Sequence, residues 1–154
     1  MSKTPEQLLL AAELARAAEF RTALRRFLRR TEEVCSANGL TPQRYNLLLL
    51  IKAAPDGSEE STVTELSDHL ALAQPAVTEL VKRAEQAGLV ERRRDANDGR
   101  VYRLRLTEDG ERQLLAAFSA LRAERESLLT TFRHADARLR ALTRALDANE
   151  RSLS

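Results

Sequence analysis

The chain has 154 residues, 31% of them charged and 4% aromatic, with five glycines and four prolines. So few aromatics and turn residues exclude a β-sandwich or barrel and favour helices. The net charge of +2 excludes a general electrostatic nucleic-acid coat, so any such contact must come from local clusters of basic residues.

From Pro5 to about Asn38, Leu8, Leu14, Ala18, Leu24, Phe27, Leu28 and Val34 recur at helical steps, while Arg16, Arg21, Arg25 and Arg29 fill the gaps. This predicts one long amphipathic helix, stopped by Asn38-Gly39. Thr41-Pro42 restarts a helix, because proline at the first position loses no needed donor. That helix carries Tyr45, Leu48, Leu49 and Lys52 and ends before the loop Pro55-Asp56-Gly57-Ser58. Thr62-Val63-Thr64-Glu65 is a capping box that opens a third helix, with Val63, Leu66 and Leu70 as its buried stripe. After a tight break at Ala71-Leu72-Ala73, residues 74–87 are helical again, with Val77, Leu80, Val81 and Ala84 inward and Gly88 as the stop.

At Leu89 the apolar period changes to two. Residues 89–94 and 101–106 are predicted strands, and Asp95-Ala96-Asn97-Asp98-Gly99 is turn chemistry. Tyr102, Leu104 and Leu106 alternate with Arg103 and Arg105, which predicts a hairpin with one buried and one basic side. Thr107-Glu108-Asp109-Gly110 caps a final long helix, its acids complementing the helix dipole. Leu114, Phe118, Leu121, Leu128 and Phe132 follow in near-heptad spacing; a break is expected at His134-Ala135-Asp136, and Leu139, Leu142 and Leu146 continue the stripe.

Two short helices joined by a three-residue break have helix-turn-helix geometry, a weak signal by itself. The hairpin strengthens it. Between Arg92 and Arg105 stand six arginines and two acids, an excess of cations suited to phosphates or a narrow minor groove.

At this point the sequence resembles the MarR family of winged helix-turn-helix repressors. The resemblance is carried by residues 39–48, 62–70 and 76–90, and above all by Arg92-Arg93-Arg94-Asp95-Ala96-Asn97-Asp98-Gly99-Arg100-Val101 running into Leu104-Arg105-Leu106-Thr107-Glu108-Asp109-Gly110. It spans about residues 39–115 and implies a mainly α fold with a small β-hairpin wing, flanked by long terminal dimerisation helices. The implied organisation is an N-terminal dimerisation helix at 1–38, the winged domain at 39–110 and C-terminal dimerisation helices at 111–154. The implied function is a cytoplasmic transcriptional repressor, a homodimer on a pseudo-palindromic site in double-stranded DNA, relieved by a small-molecule effector.

Carried over by position, residues 74–87 are the recognition helix, whose outward side chains are Gln74, Ala76, Thr78, Glu79, Lys82 and Arg83. The wing comprises residues 92–105, with Arg92, Arg93 and Arg94 on the strand as phosphate contacts. Arg100 matches the wing-tip arginine that family members place in the minor groove, and Asp98 matches the acid that orients it or a neighbouring arginine. The family often has serine before the recognition helix, whereas Ala73 stands here with Pro75 in the first turn. A missing cap costs about 1 kcal/mol if uncompensated. Tyr45 is the candidate for an effector cleft, although a tyrosine at that helical phase also suits the core.

The long terminal stripes exceed what one small winged domain can cover, which favours a twin chain. Cys35, the single cysteine, excludes an internal disulfide framework. Glu32 and Glu33 beside it disfavour a thiolate, so a non-sensing thiol is expected. His69 and His134 have no second ligand at helical spacing, so no metal site is expected. No glycine-rich phosphate loop, Gly-x-Ser-x-Gly elbow or His-Glu-x-x-His occurs, so neither enzyme activity nor a cofactor is expected. The N-terminus lacks a signal-peptide pattern and the longest apolar run is about residues 47–51, so no membrane partner is expected. The rival function is a winged-helix protein-interaction module that does not bind DNA.

Overall fold

The computed structural model describes residues 4–152, with side chains except those of residues 146, 147 and 149–152. In chain order the elements are α1 (Pro5–Ala37), α2 (Pro42–Lys52), α3 (Val63–Leu70), α4 (Gln74–Gln86), β1 (Val90–Arg94), β2 (Tyr102–Leu106), α5 (Glu108–Ala120) and α6 (Arg122–Ser152). They form two compact units: residues 31–121, and the described residues before 31 together with those after 121.

Local chemistry sets the helix ends in the winged unit, residues 31–121. Gly39 closes α1 at φ +70°, in the left-handed region that glycine enters without a Cβ clash. The Thr41 hydroxyl accepts the Arg44 N–H at 3.2 Å and starts α2. At α3 both halves of the capping box form. The Glu65 N–H donates to the Thr62 hydroxyl at 3.2 Å, and the Thr62 N–H donates to the Glu65 carboxylate at 2.7 Å. The Thr107 hydroxyl accepts the Gly110 N–H at 3.1 Å at the start of α5.

The turn between α3 and α4 is a Schellman closure. Leu72 N–H donates to Ser67 O at 3.2 Å and Ala71 N–H to Asp68 O at 3.4 Å. It requires Ala71 at φ 53°, where a Cβ crowds the following carbonyl. Ala71→Gly is therefore expected to raise unfolding stability by about 1 kcal/mol, read as a higher urea midpoint at unchanged slope.

α2 is apolar almost all round because it runs through the middle of this unit, touching α3, α4, α5 and β2. Its Leu47, Leu48 and Ile51 are fully buried, and Leu66, Val77, Val81, Leu104, Leu114 and Leu121 close the core around them. Burial of each such side chain contributes about 1.5–3 kcal/mol relative to exposure. Val34 and Cys35 from the end of α1 also lie in this core, so the winged unit extends beyond residues 39–110 at both ends.

β1 and β2 pair antiparallel, with Val90 opposite Leu106, Arg92 opposite Leu104 and Arg94 opposite Tyr102. On its other edge Leu104 exchanges two backbone bonds with Ser61, at 3.0 and 2.8 Å, which pins the α2–α3 loop to the base of the hairpin.

In the other unit α1 packs along α6. Phe20 and Phe132 stack with ring centroids 4.9 Å apart. Arg16–Asp136 at 3.4 Å, Arg138–Glu19 at 3.1 Å and Arg30–Glu124 at 3.0 Å bridge the two helices. The break expected at His134-Ala135-Asp136 does not occur, because nothing there opposes helix. Ala135 is buried, and Asp136 pairs with Arg140 one turn later at 2.5 Å. The chain breaks instead at Leu121, which is fully buried in the winged core with φ −92° and ψ 6°. The near-heptad stripe is thus split: Leu114 and Leu121 serve the winged core, while Leu128 and Phe132 belong to α6. Leu139 and Leu142 line a groove with Ala12 and Ala15 of α1. The Leu146 side chain lies outside the described residues. No helix among the described residues is long and apolar enough to cross a membrane.

Candidate nucleic-acid interface

α4 starts after Ala73, which gives no side-chain cap. Pro75 reduces the need for one by removing a donor, and the Ala73 carbonyl accepts from both Ala76 and Val77 at 3.0 and 3.2 Å. Val77, Val81 and Ala84 fix the inward face. At about 100° per residue, Pro75, Glu79, Lys82, Arg83 and Gln86 fall on the opposite face, with Ala76 and Thr78 on its flanks. All seven are exposed. Gln74 turns back, its amide donating to the Thr64 hydroxyl of α3 at 3.3 Å.

The charges on this helix are unequal. Arg83 pairs with Glu79 at 3.3 Å, whereas Lys82 has no ion pair or hydrogen bond to its side chain among the described residues.

In the wing the strand register decides where each arginine points. Directly opposed residues share a face, so Arg92 and Arg94 lie on the same side as Leu104 and Tyr102, not on a separate basic side. Arg92 bonds Glu85 at the end of α4 at 2.8 Å, and Arg94 lies over the Tyr102 ring, 5.9 Å from its centroid. On the outer side Arg93 and Arg103 are directly opposed, a like-charge pairing that destabilises a sheet unless compensated. The compensation is present: Asp95 takes Arg103 at 2.5 Å and Glu60 stands 4.0 Å from Arg93. Arg105 pairs with Glu91 at 3.2 Å. Arg100 is exposed at the turn, and its guanidinium has no partner among the described residues.

A family model described as MarR family matches residues 38–101. Over those residues this chain is similar to the MarR family. Apo wild-type MarR from E. coli is 22% identical, with TM-score 0.62, over 82% of this chain and 92% of that one. A cysteine-to-serine mutant of E. coli MarR, solved with operator DNA, is 20% identical with TM-score 0.64, over 94% and 99%. A mutant of S. aureus MepR bound to an oligodeoxyribonucleotide is 19% identical with TM-score 0.61, over 86% and 96%. At these identities the likeness is one of fold. No curated protein matches the chain.

The MarR-family acid before the wing arginine does not act here as expected. Asp98 accepts the backbone N–H of Arg100 at 3.0 Å and holds no guanidinium. The acid that does hold an arginine is Asp95. One of its oxygens accepts the Asn97 and Asp98 N–H groups at 2.8 and 3.1 Å, and the other accepts Arg103. Sequence reasoning took Asp95 for a plain turn residue. Its position at the end of β1, directly before the turn, was the available signal. Gln86 and Pro75 on the exposed face of α4 were also missed.

Tyr45, the effector-cleft candidate, is buried in the core of the winged unit. Cys35 is fully buried, and burial, rather than its acidic neighbours, pushes its thiol up.

The Arg103 hydrogen bond, helped by the two turn amides, holds the Asp95 carboxyl below the usual carboxylate range. A depressed folded-state value means that the stabilisation is complete above the ordinary aspartate value of about 3.9 and is lost as pH falls through the lower one. Carboxyl NMR is expected to place Asp95 below an exposed aspartate. Acidification past its midpoint should speed exchange of the Asn97 and Asp98 amides, and Asp95→Asn should remove that dependence.

Proposed function

We propose that this chain is a sequence-specific DNA-binding transcription regulator. It acts as a homodimer on a pseudo-palindromic operator, with α4 in the major groove, the wing at the minor groove, and repression relieved by a small-molecule effector. The carrying observation is that two cations on neighbouring exposed elements, Lys82 of α4 and Arg100 of the wing, have no intramolecular partner among the described residues. Such cations can take phosphates or a narrow minor groove without first breaking a pair. Thr78 and Ala76 flank the same face, where a hydroxyl reads either hydrogen-bonding edge and a methyl suits thymine. Arg92 is held by Glu85 and serves to brace the wing against α4. Two relatives of this fold are solved on DNA, which supports the reading.

The dimer is supported by apolar surface that the chain leaves uncovered. Leu10 and Leu14 on α1 are 56% and 63% exposed, and Leu28 and Leu129 are 52% and 55% exposed. Charging both Leu10 and Leu14 with arginine is expected to convert dimer to monomer in sedimentation at micromolar concentration, with the winged unit still folded. A wild-type chain that sediments as a folded monomer would contradict the dimer. Leu121 is no test of assembly, because a charge there would be buried in the winged core and would unfold it.

Selection of bound genomic fragments followed by footprinting tests the function. Two protected half-sites on one DNA face, centred about 34–36 Å apart, are expected. Enrichment of no fragment, or protection of isolated half-sites, would refute the dimeric operator reading.

A further inference from the structure

A cleft of about 280 Å³ opens in the winged unit, away from the exposed face of α4, between the end of α2, the following loop and α3. That volume lies just below the usual range of ligand pockets, roughly 300–1,000 Å³, and suits only a small ligand. Leu50, Ala53, Ala54 and Pro55 give it an apolar wall.

Its polar groups are nearly all acceptors. Ser61 is 5% exposed, and its backbone N–H and C=O are both spent on Leu104. Its hydroxyl has no hydrogen bond from any described residue, although it lines the cleft. The residue is buried but its hydroxyl opens onto the cleft, where an occupant can reach it. His69 places Nδ1 2.7 Å from the Glu65 carbonyl oxygen. A carbonyl only accepts, so Nδ1 is the donor in that bond. Asp56, Glu60 and Glu65 add three carboxylates, and no lysine or arginine lines the cleft. Glu65 and Asp56 are partly engaged, by the Thr62 N–H and by Ser58. Among the described residues Glu60 has one ion pair, with Arg93 at 4.0 Å.

We propose that this cleft binds a small organic ammonium with an apolar body. The body lies on the Leu50–Pro55 wall. The ammonium donates to the Ser61 hydroxyl and the Glu60 carboxylate, whose charge favours a cation over a neutral donor. An anionic ligand is rejected by the three carboxylates. Because Glu60 also stands beside Arg93 of β1, an occupant that draws Glu60 inward reaches the wing. The site rests on the cleft alone and is tested without DNA, so it stands or falls independently of the proposed function.

The test is titration of the full chain at neutral pH, followed by amide NMR shifts, with cyclohexylammonium, cyclohexanol and cyclohexanecarboxylate as probes. The expected result is saturable binding of the ammonium, with shifts confined to the amides of Ala54, Glu60, Ser61, His69 and Arg93. Affinity should be at least about tenfold above cyclohexanol, and the carboxylate should not saturate. Ser61→Ala and Glu60→Gln should each weaken the ammonium about fivefold or more while the remaining spectrum stays in place. Equal binding of the three probes, shifts scattered over the surface, or full affinity in both variants would overturn the proposal.

Discussion

Arg100→Ala is expected to weaken operator binding by roughly tenfold to a hundredfold, about 1–3 kcal/mol, with almost no change in melting temperature. Arg100 leaves the turn from a backbone that Asp98 fixes by accepting its N–H. Its exposed side chain touches no partner among the described residues, so removing it breaks nothing in the folded chain, and surface changes of that kind stay within about 0.5 kcal/mol. In the complex the same side chain would enter the minor groove, where a narrow A·T-rich segment concentrates negative potential. Arg100→Lys should retain part of the affinity, since lysine keeps the charge but not the planar donor fork. The loss should be greatest on duplexes with A·T-rich flanks. Anisotropy titrations of both variants, with calorimetric melting as control, read these effects. Wild-type affinity in both variants would remove the wing from minor-groove recognition.

Gly110→Ala is expected to be the most destabilising small substitution in the winged unit. A Cβ at Gly110 would stand 2.0 Å from the Leu89 carbonyl oxygen and 2.9 Å from the Leu89 carbonyl carbon. Both are backbone atoms, so no side chain can swing aside. The Leu89 oxygen already accepts the Thr107 N–H at 3.1 Å, and the Thr107 hydroxyl donates to Gly88 O at 2.6 Å. The first turn of α5 would have to lift from this dock and lose both bonds. Overpacking usually costs about 1–3 kcal/mol; here the upper end or more is expected, lowering the melting temperature by about 6–12 °C. Gly99 is the control, because a Cβ there meets nothing within 4 Å and Gly99→Ala should melt with the parent. Equal melting of Gly110→Ala and the parent would refute the close-approach explanation.

Gly110 was read only as part of the cap that opens α5, because its close approach to the Leu89 backbone comes from elsewhere in the fold. The same division runs through the chain. Caps at Thr41, Thr62 and Thr107 and stops at Gly39 and Gly88 were readable, because each depends on residues within one turn of it. The inward faces of α3 and α4 followed from period alone. The wing was read correctly as a basic hairpin and wrongly as one with a single basic side. Where Arg92 and Arg94 point depends on the phase of β1 against β2, and their partners Glu85 and Tyr102 come from elsewhere in the fold. Four of the six wing arginines stand within 4.0 Å of a carboxylate, which the count of charges could not show. The break at Leu121 had no local signal either, since neither glycine nor proline stands there and tertiary burial of that side chain marks the place.

In the proposed complex α4 and the wing take duplex DNA through Lys82 and Arg100 while Arg92 serves the fold. The most direct measurement is the affinity for a selected operator duplex across a series of salt concentrations, for the parent, Lys82→Ala and Arg92→Ala. A steep linear fall of log affinity with log salt is expected in the parent. Lys82→Ala should reduce that slope by about one per protomer, whereas Arg92→Ala should leave it unchanged. No saturable duplex binding, or a slope that drops with Arg92→Ala and not with Lys82→Ala, would contradict these roles.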